Sequence, residues 1–439
     1  MHHMILRILA LCLFLFQTGG AYATDTSEDP NVEMSLSTII LFALDNNPDL
    51  LMAQERITQM EEFTNEARSA YWPQVELSVE GGRQYVSPTS GNASTNYGDA
   101  SVRVRQKIYD GYATTSEVNR RQSLTDSTDH RAASQRNVVI METIKYYLDV
   151  LRFQSEVQTI ERFMVELDRV VSTVNEMYQA GAVSKVMNDY ALSRHASSRL
   201  ELSRKKSSLN DAISNLEFLT GALPDFIAVS PDNLTPENYE FEMYFDMAEG
   251  EHSNVKINMQ ELEALRHKLN SEKAAYYPEL DFNVSAEQKH NDGGDVGAGS
   301  DVKAYFSMNY DIFDGFLRKH KTNRVSSEIK ELEYKNKKIV KELRKDLQLS
   351  YHQILAAQTS LDSVHAEIKN NITVKFLNEE NFRLGHINVI ELIEGEERLK
   401  DSYLKRHGLR HDLHLNKYSL LLNSTVINHD YFCSSCDQM

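Results

Sequence analysis

His407, His411 and His414 stand at i, i+4 and i+7 and so share one face of any helix that carries them, a spacing that could ligate a transition metal. Their one acidic neighbour, Asp412, falls on a different face, so a solvated polar stripe is the plainer reading and no metal site is expected. Cys433 and Cys436 form Cys-Ser-Ser-Cys close to the end. A strand-and-helix redox frame is missing around them, which leaves a local disulfide or an idle pair. The chain has no nucleophile elbow, phosphate loop or zinc-hydrolase spacing. An enzyme is not expected, and neither is a cofactor.

The elements that would position these groups come from a duplication. Val102 to Gly111 ends Ile-Tyr-Asp-Gly, and Ala304 to Gly315 ends Ile-Phe-Asp-Gly. Gly111 and Gly315 lie 204 apart, as do Tyr147 and Tyr351, and Gly181 and Gly385; Ala70 to Pro73 and Ala275 to Pro278 lie 205 apart. A period this long duplicates a domain-sized unit and is unlike the short repeat of a solenoid.

Composition narrows the partners. A formal charge of −17 argues against nucleic acid as a partner, since binding it needs a basic face. Arg7, the apolar run Ile8 to Phe16 and the Ala-Tyr-Ala before Thr24 read as a secretory signal over 1–23. Cys12 follows Leu11, where a lipid-anchor signal needs a small residue, so it is read as part of that apolar run. The domains expected from the pattern are a first repeat over 34–221, a Pro-containing linker over 222–244, a second repeat over 245–423, and a tail over 424–439 without fixed structure.

Each repeat holds two alternating runs, forming hairpins over 75–108 and 280–312 with polar loops Ser87 to Asn96 and His290 to Ser300. Val75, Leu77 and Val79 alternate with Glu76, Ser78 and Glu80; Phe282 and Val284 alternate with Asn283 and Ser285. Such strands suit a soluble sheet with one wet face, or a transmembrane barrel with lipid outside and water inside. A length of about ten residues is near that of a membrane strand. Tyr71, Trp72, Tyr109, Tyr276, Tyr277 and Phe313 gather at one end as an interfacial girdle. Four strands cannot close a barrel without leaving backbone groups unpaired in lipid, so several copies must contribute.

After each Asp-Gly (Asp110-Gly111, Asp314-Gly315) the spacing turns helical, from Ala113 to about Gln179 and from Leu317 to about Arg383. Each segment would extend roughly 100 Å. Ile160, Phe163, Leu167, Val170, Val174 and Met177 follow the 3-4 spacing of a coiled-coil seam. Gly181 and Gly385 turn the chain into return helices, giving helical hairpins over 113–220 and 317–422.

Leu-Asp-Asn-Asn-Pro-Asp-Leu at 44–50, Tyr-Trp-Pro and Tyr-Tyr-Pro before the odd strands, the two aromatic-Asp-Gly turns and the glycines at the far turns are similar to those of TolC-type outer-membrane efflux and secretion proteins, the outer membrane factors. The resemblance covers about residues 34–424. It implies an α+β membrane protein: a homotrimer whose four strands per chain close a 12-stranded barrel in the outer membrane, on an α-helical barrel reaching through the periplasm of a Gram-negative cell. It also implies recruitment by a periplasmic adaptor (membrane fusion protein) and an inner-membrane pump of ABC or RND type, for type I protein secretion or multidrug efflux. Family members often place acids six and nine positions past the second tip glycine, which here are Glu391 and Glu394. Set against that is the plainer role of acids near a helix N-terminus. Other tip positions depart from the pattern: Met187, Phe382 and Ile387 stand where an acid, a Tyr and a basic residue are usual, so apolar contacts through Phe382 and Met187 would line the constriction in place of a polar latch. The competing class is a periplasmic coiled-coil scaffold or adaptor that forms no pore.

Overall fold

The computed structural model describes residues 32–86, 93–221, 226–230, 240–291 and 297–427; the expected signal segment and the Cys433/Cys436 pair lie outside the described residues. Two short helices open each half. In the first, α1 (Leu36–Asn46) and α2 (Pro48–Ser69) meet at Asn47, which ends one helix and caps the next by accepting from the Asp49 N–H. In the second, α5 (Phe241–Glu251) and α6 (Ser253–Ala274) meet at His252, whose ring accepts from the Asn254 N–H. A polar side chain that satisfies an orphan N–H lets the chain change direction without a loop.

The strands β2 (Gln74–Val86), β3 (Ala93–Tyr109), β5 (Glu279–His290) and β6 (Ala298–Asn309) form one antiparallel sheet in the order β2-β3-β5-β6. They run 13, 17, 12 and 12 residues, longer than the expected ten, because pairing continues into what reads as loop sequence: Val86 pairs with Ala93, and His290 with Ala298.

The long helices α3 (Ala113–Gln179) and α7 (Leu317–Arg383) each have 67 residues, and α4 (Lys185–Thr220) and α8 (Val389–Asn423) return beside them. The seam residues Ile160, Phe163, Leu167, Val170 and Val174 are buried, while Met177 at its end is only partly so. No described helix is long and apolar enough to cross a membrane.

The main core lies midway, where α1 and α5 pack on the long helices. Here the structure adds a parallel ribbon of β1 (Val32–Met34) and β4 (Phe226–Ala228), which ties the start of the first repeat to the stretch between the repeats. Tyr147 on α3 is fully buried beneath it. Its hydroxyl lies 2.8 Å from the Met34 carbonyl and 2.7 Å from that of Val229, and accepts from the Val229 N–H at 2.9 Å. Burial pushes its pKa up to about 12, so it works as a neutral donor and acceptor. Tyr147→Phe is expected to cost about 1–3 kcal/mol by stranding the Val229 N–H. A lowered thermal midpoint with unchanged helix content checks this; an unchanged midpoint contradicts it.

Two expected boundaries are corrected. Phe241–Tyr244 form the first turn of α5, so the linker assigned to 222–244 ends earlier, because Tyr244 and Phe245 are drawn into the core. At the other end Ser424 and Ile427, assigned to the structureless tail, are buried, and Ile427 joins the same core.

Candidate functional site

The pairing register decides what each sheet face presents. Val75 sits opposite Val104, Leu77 opposite Val102, Val104 opposite Val284 and Phe282 opposite Phe306, so one face is apolar across all four strands. Among the described residues nothing covers it: Val79 and Val302 are 71% and 78% exposed. The other face pairs charges. Arg105 reaches the buried Asp281 at 2.9 Å, Arg103 reaches Glu76 at 3.5 Å, and the Asn283 amide donates to Ser307 Oγ at 2.9 Å. β2 and β6 each pair on one side only, leaving two open edges.

Tyr71, Trp72, Tyr109, Tyr276, Tyr277 and Phe313 all lie where the sheet meets the helices, and Trp72 and Phe313 are largely exposed. At this junction Gly111 and Tyr112, and again Gly315 and Phe316, take consecutive positive φ angles. Asp110 closes the first turn by accepting from the Thr114 N–H at 2.9 Å, and Asp314 does the same for Arg318 at 2.9 Å. Burial works to raise the pKa of Asp110, but the bonds from Thr114 and the nearby Lys107 outweigh it and the carboxyl is held below its usual range.

At the far end both turns are Schellman caps. Gly181 has φ +74°, donating to the Tyr178 carbonyl, while Ala182 donates to that of Met177; Gly385, Phe382, His386 and Asn381 repeat the arrangement. Asn388 then caps α8. Its side-chain oxygen accepts from the Glu391 N–H at 3.1 Å and its amide donates to Glu391 Oε1 at 3.0 Å. Glu391 is exposed, and Glu394, one turn on, lies 3.3 Å from Arg398. Met187 and Phe382 pack against the tip core of Phe163, Leu167, Val174, Val389 and Ile393. The structure thus brings Met187 and Phe382 to one apolar cluster and sets Glu391 and Glu394 together on the first turns of α8.

Two histidines of the opening motif, His407 and His411, have side-chain partners. His411 contacts Asp149 and Asp412, both at 3.0 Å. Burial disfavours its charge, yet these two bonds prevail and its pKa is raised. His407 contacts Thr159 Oγ1 at 3.1 Å, and burial drives both His407 and His414 down to about 4. No three metal-capable side chains converge among the described residues.

Sequence reasoning missed the buried ion pairs between the long helices. Glu156, 1% exposed, meets Arg152 at 2.8 Å and Lys205 of α4 at 2.6 Å. Glu396 meets Lys375 at 3.1 Å, and burial raises its pKa despite that partner. Arg152 and Glu156 are visible as an i, i+4 pair, but nothing in the sequence names Lys205.

The apolar sheet with its two open edges is carried on two helical hairpins whose longer arms extend roughly 100 Å. Residues 40–222 match the family model described as outer membrane efflux protein. The structure resembles that of CusC with a TM-score of 0.79 at 12% identity, covering 90% of this chain and 92% of that one. It resembles the outer membrane protein VceC from Vibrio cholerae with a TM-score of 0.76 at 14% identity, covering 89% and 95%. Protein CyaE of Bordetella pertussis is 22% identical over 307 residues, 69% of this chain, and the match spans 65% of that relative's length. The family match thus covers the first repeat, and the likeness to solved outer-membrane channels extends the shared fold to most of the chain.

Proposed function

We propose that three copies close one 12-stranded barrel in the outer membrane, continued by 12 long helices through the periplasm, and that this duct is the exit of a tripartite export system. The observation that carries the reading is the sheet: one uncovered apolar face, one charged face and two unpaired edges on a single chain. An open edge in lipid leaves several kcal/mol of unmet hydrogen bonding per group, and closure with further copies removes it. The channel wall performs no chemistry; a periplasmic adaptor and an inner-membrane ABC or RND-type pump would supply recruitment and energy. The cargo class is a polypeptide in type I secretion or a small toxic compound in efflux. The likeness to CyaE and to CusC, whose structural description names transmembrane channel formation, supports a duct in either setting.

At the tip, three copies would bring six carboxylates from Glu391 and Glu394 around one opening, with Gly181 and Gly385 shaping the turns. Met187 and Phe382, packed on the tip core, brace those turns from within the chain. A pore-less periplasmic scaffold would have no use for the uncovered apolar sheet. Fractionation with native mass spectrometry separates the two readings. A detergent-extracted, outer-membrane oligomer of three chains is expected; a monomer released by osmotic shock contradicts the duct.

A further inference from the structure

We infer that a cleft between α3 and α8, on the tip side of the main core, binds a small organic anion: an oxyanion such as a carboxylate on an apolar body, held by Arg162 and Arg406. The site lies within one chain and does not rest on the duct proposed above.

The cleft encloses a cavity of about 760 Å³, in the size range of small-molecule sites. Its α3 lining runs from Ser155 to Glu166, roughly 60–80 Å along that helix and roughly 20 Å short of the tip turn, so it is separate from Glu391 and Glu394. Two contacts fix how the helices face each other. Thr159 Oγ1 lies 3.1 Å from His407 Nε2, and Lys400 Nζ lies 5.2 Å from the centre of the Phe163 ring. Phe163, Val165, Leu399 and Tyr403 supply an apolar wall for the body of a ligand. In this stretch α3 packs on α4, α8 packs on α7, and α3 and α8 pack on each other, so the cleft is at the inner joint and not at an outer edge of the layer.

The charges lining the cavity do not cancel. Glu396 is met by Lys375 at 3.1 Å, Glu166 by Arg169 at 2.9 Å, and Lys400 by Glu201 at 2.7 Å. Among the described residues Arg162 and Arg406 have no ion pair, in a chain whose formal charge is −17. Arg162 is exposed at the rim. Arg406 is half-buried: its guanidinium lies over the Tyr403 ring, 4.9 Å from the centroid, and its buried Nε has no hydrogen-bond partner. With one face on the ring, the edge that carries the N–H donors is left for a ligand. A buried N–H without an acceptor is costly, and a planar oxyanion answers it with two charge-assisted bonds. Burial, and after it the nearby Arg410, lowers the pKa of Arg406, and the same positive field helps to hold His407 neutral. An anion placed here removes that cost. Bound between Arg162 of the first repeat and Arg406 of the second, it clamps α3 to α8 across the joint between the repeats.

Fluorine NMR of the purified full chain in detergent tests this, with para-trifluoromethylbenzoate as the probe and detergent alone as the blank. Saturable binding is expected in the parent protein, and its neutral analogue para-trifluoromethylbenzamide is expected to bind at least about tenfold more weakly. Arg406→Gln is expected to weaken benzoate binding by about tenfold or more. Arg162→Gln, at an exposed position that packing does not depend on, is expected to do the same, while Arg199→Gln, exposed on α4 away from the cleft, leaves binding unchanged. Circular dichroism confirms the helix content of each variant. Any of three results overturns the site: no saturable binding at millimolar probe, equal binding of benzoate and benzamide, or benzoate binding that Arg406→Gln and Arg162→Gln leave as it was.

Discussion

Replacing Gly111 by Ala is expected to reduce folded, heat-resistant oligomer by tenfold or more, whereas Gly315→Ala leaves most of it. The two glycines are repeat counterparts with nearly equal backbone angles, φ +67° and +66°. Both substitutions force an L-residue into the left-handed region, costing roughly 1–2 kcal/mol. Their surroundings differ. A Cβ on Gly111 would stand 2.7 Å from the Ala274 carbonyl oxygen and 3.0 Å from Tyr277 Cβ, while one on Gly315 meets nothing within 4 Å. The Gly111 clash involves backbone at the end of α6, which cannot rotate away, and overpacking of this kind adds about 1–3 kcal/mol. The site is where β3 enters α3 against the second repeat, so the damage falls on the joint between halves. Thermal midpoints of the two variants check the difference; equal losses would mean that the strained angle alone, and not the close approach to α6, sets the demand for glycine.

The second large effect concerns ion flow. Glu391→Gln with Glu394→Gln is expected to lower the cation-to-anion permeability ratio by roughly tenfold, the change that about 1.4 kcal/mol of lost attraction produces, and to relieve block by divalent cations. Glutamine is chosen because its amide oxygen can still accept from the Asn388 amide, so the α8 start is preserved while each chain loses two charges. Unchanged selectivity and block would leave Glu391 as a helix cap, and Glu394 as the partner of Arg398.

Much of this architecture is legible in the residue order because it rests on local physics. The run from Ala113 to Gln179 contains no proline and keeps its seam period, and the helix has those limits. Gly181 and Gly385 mark turns because only glycine enters the left-handed cap cheaply. What escapes is tertiary. Val32–Met34 and Phe226–Ala228 are three-residue strands almost two hundred positions apart, too short to signal by alternation, yet their pairing closes the first repeat. Tyr147 and Tyr351 look equivalent by offset; one is fully buried under that ribbon, and the other is half-buried with its ring edge-on to Phe241. The hairpin of β2 and β3 extends through Gly81, Gly82 and Gly98, where side-chain alternation fades but backbone pairing continues. At the tip, the family resemblance singles out Met187 and Phe382, but their packing partners on α3 and α8 appear only once the helices are assembled.

The central claim, that this chain builds a pore, is tested most directly by planar-bilayer conductance of the purified oligomer, recorded with and without divalent cations. Discrete, long-lived, cation-preferring steps that divalent ions reduce are the expected result. An intact, inserted oligomer that passes no current, even after Glu391→Gln and Glu394→Gln with Gly385→Val to loosen the tip turn, would contradict it.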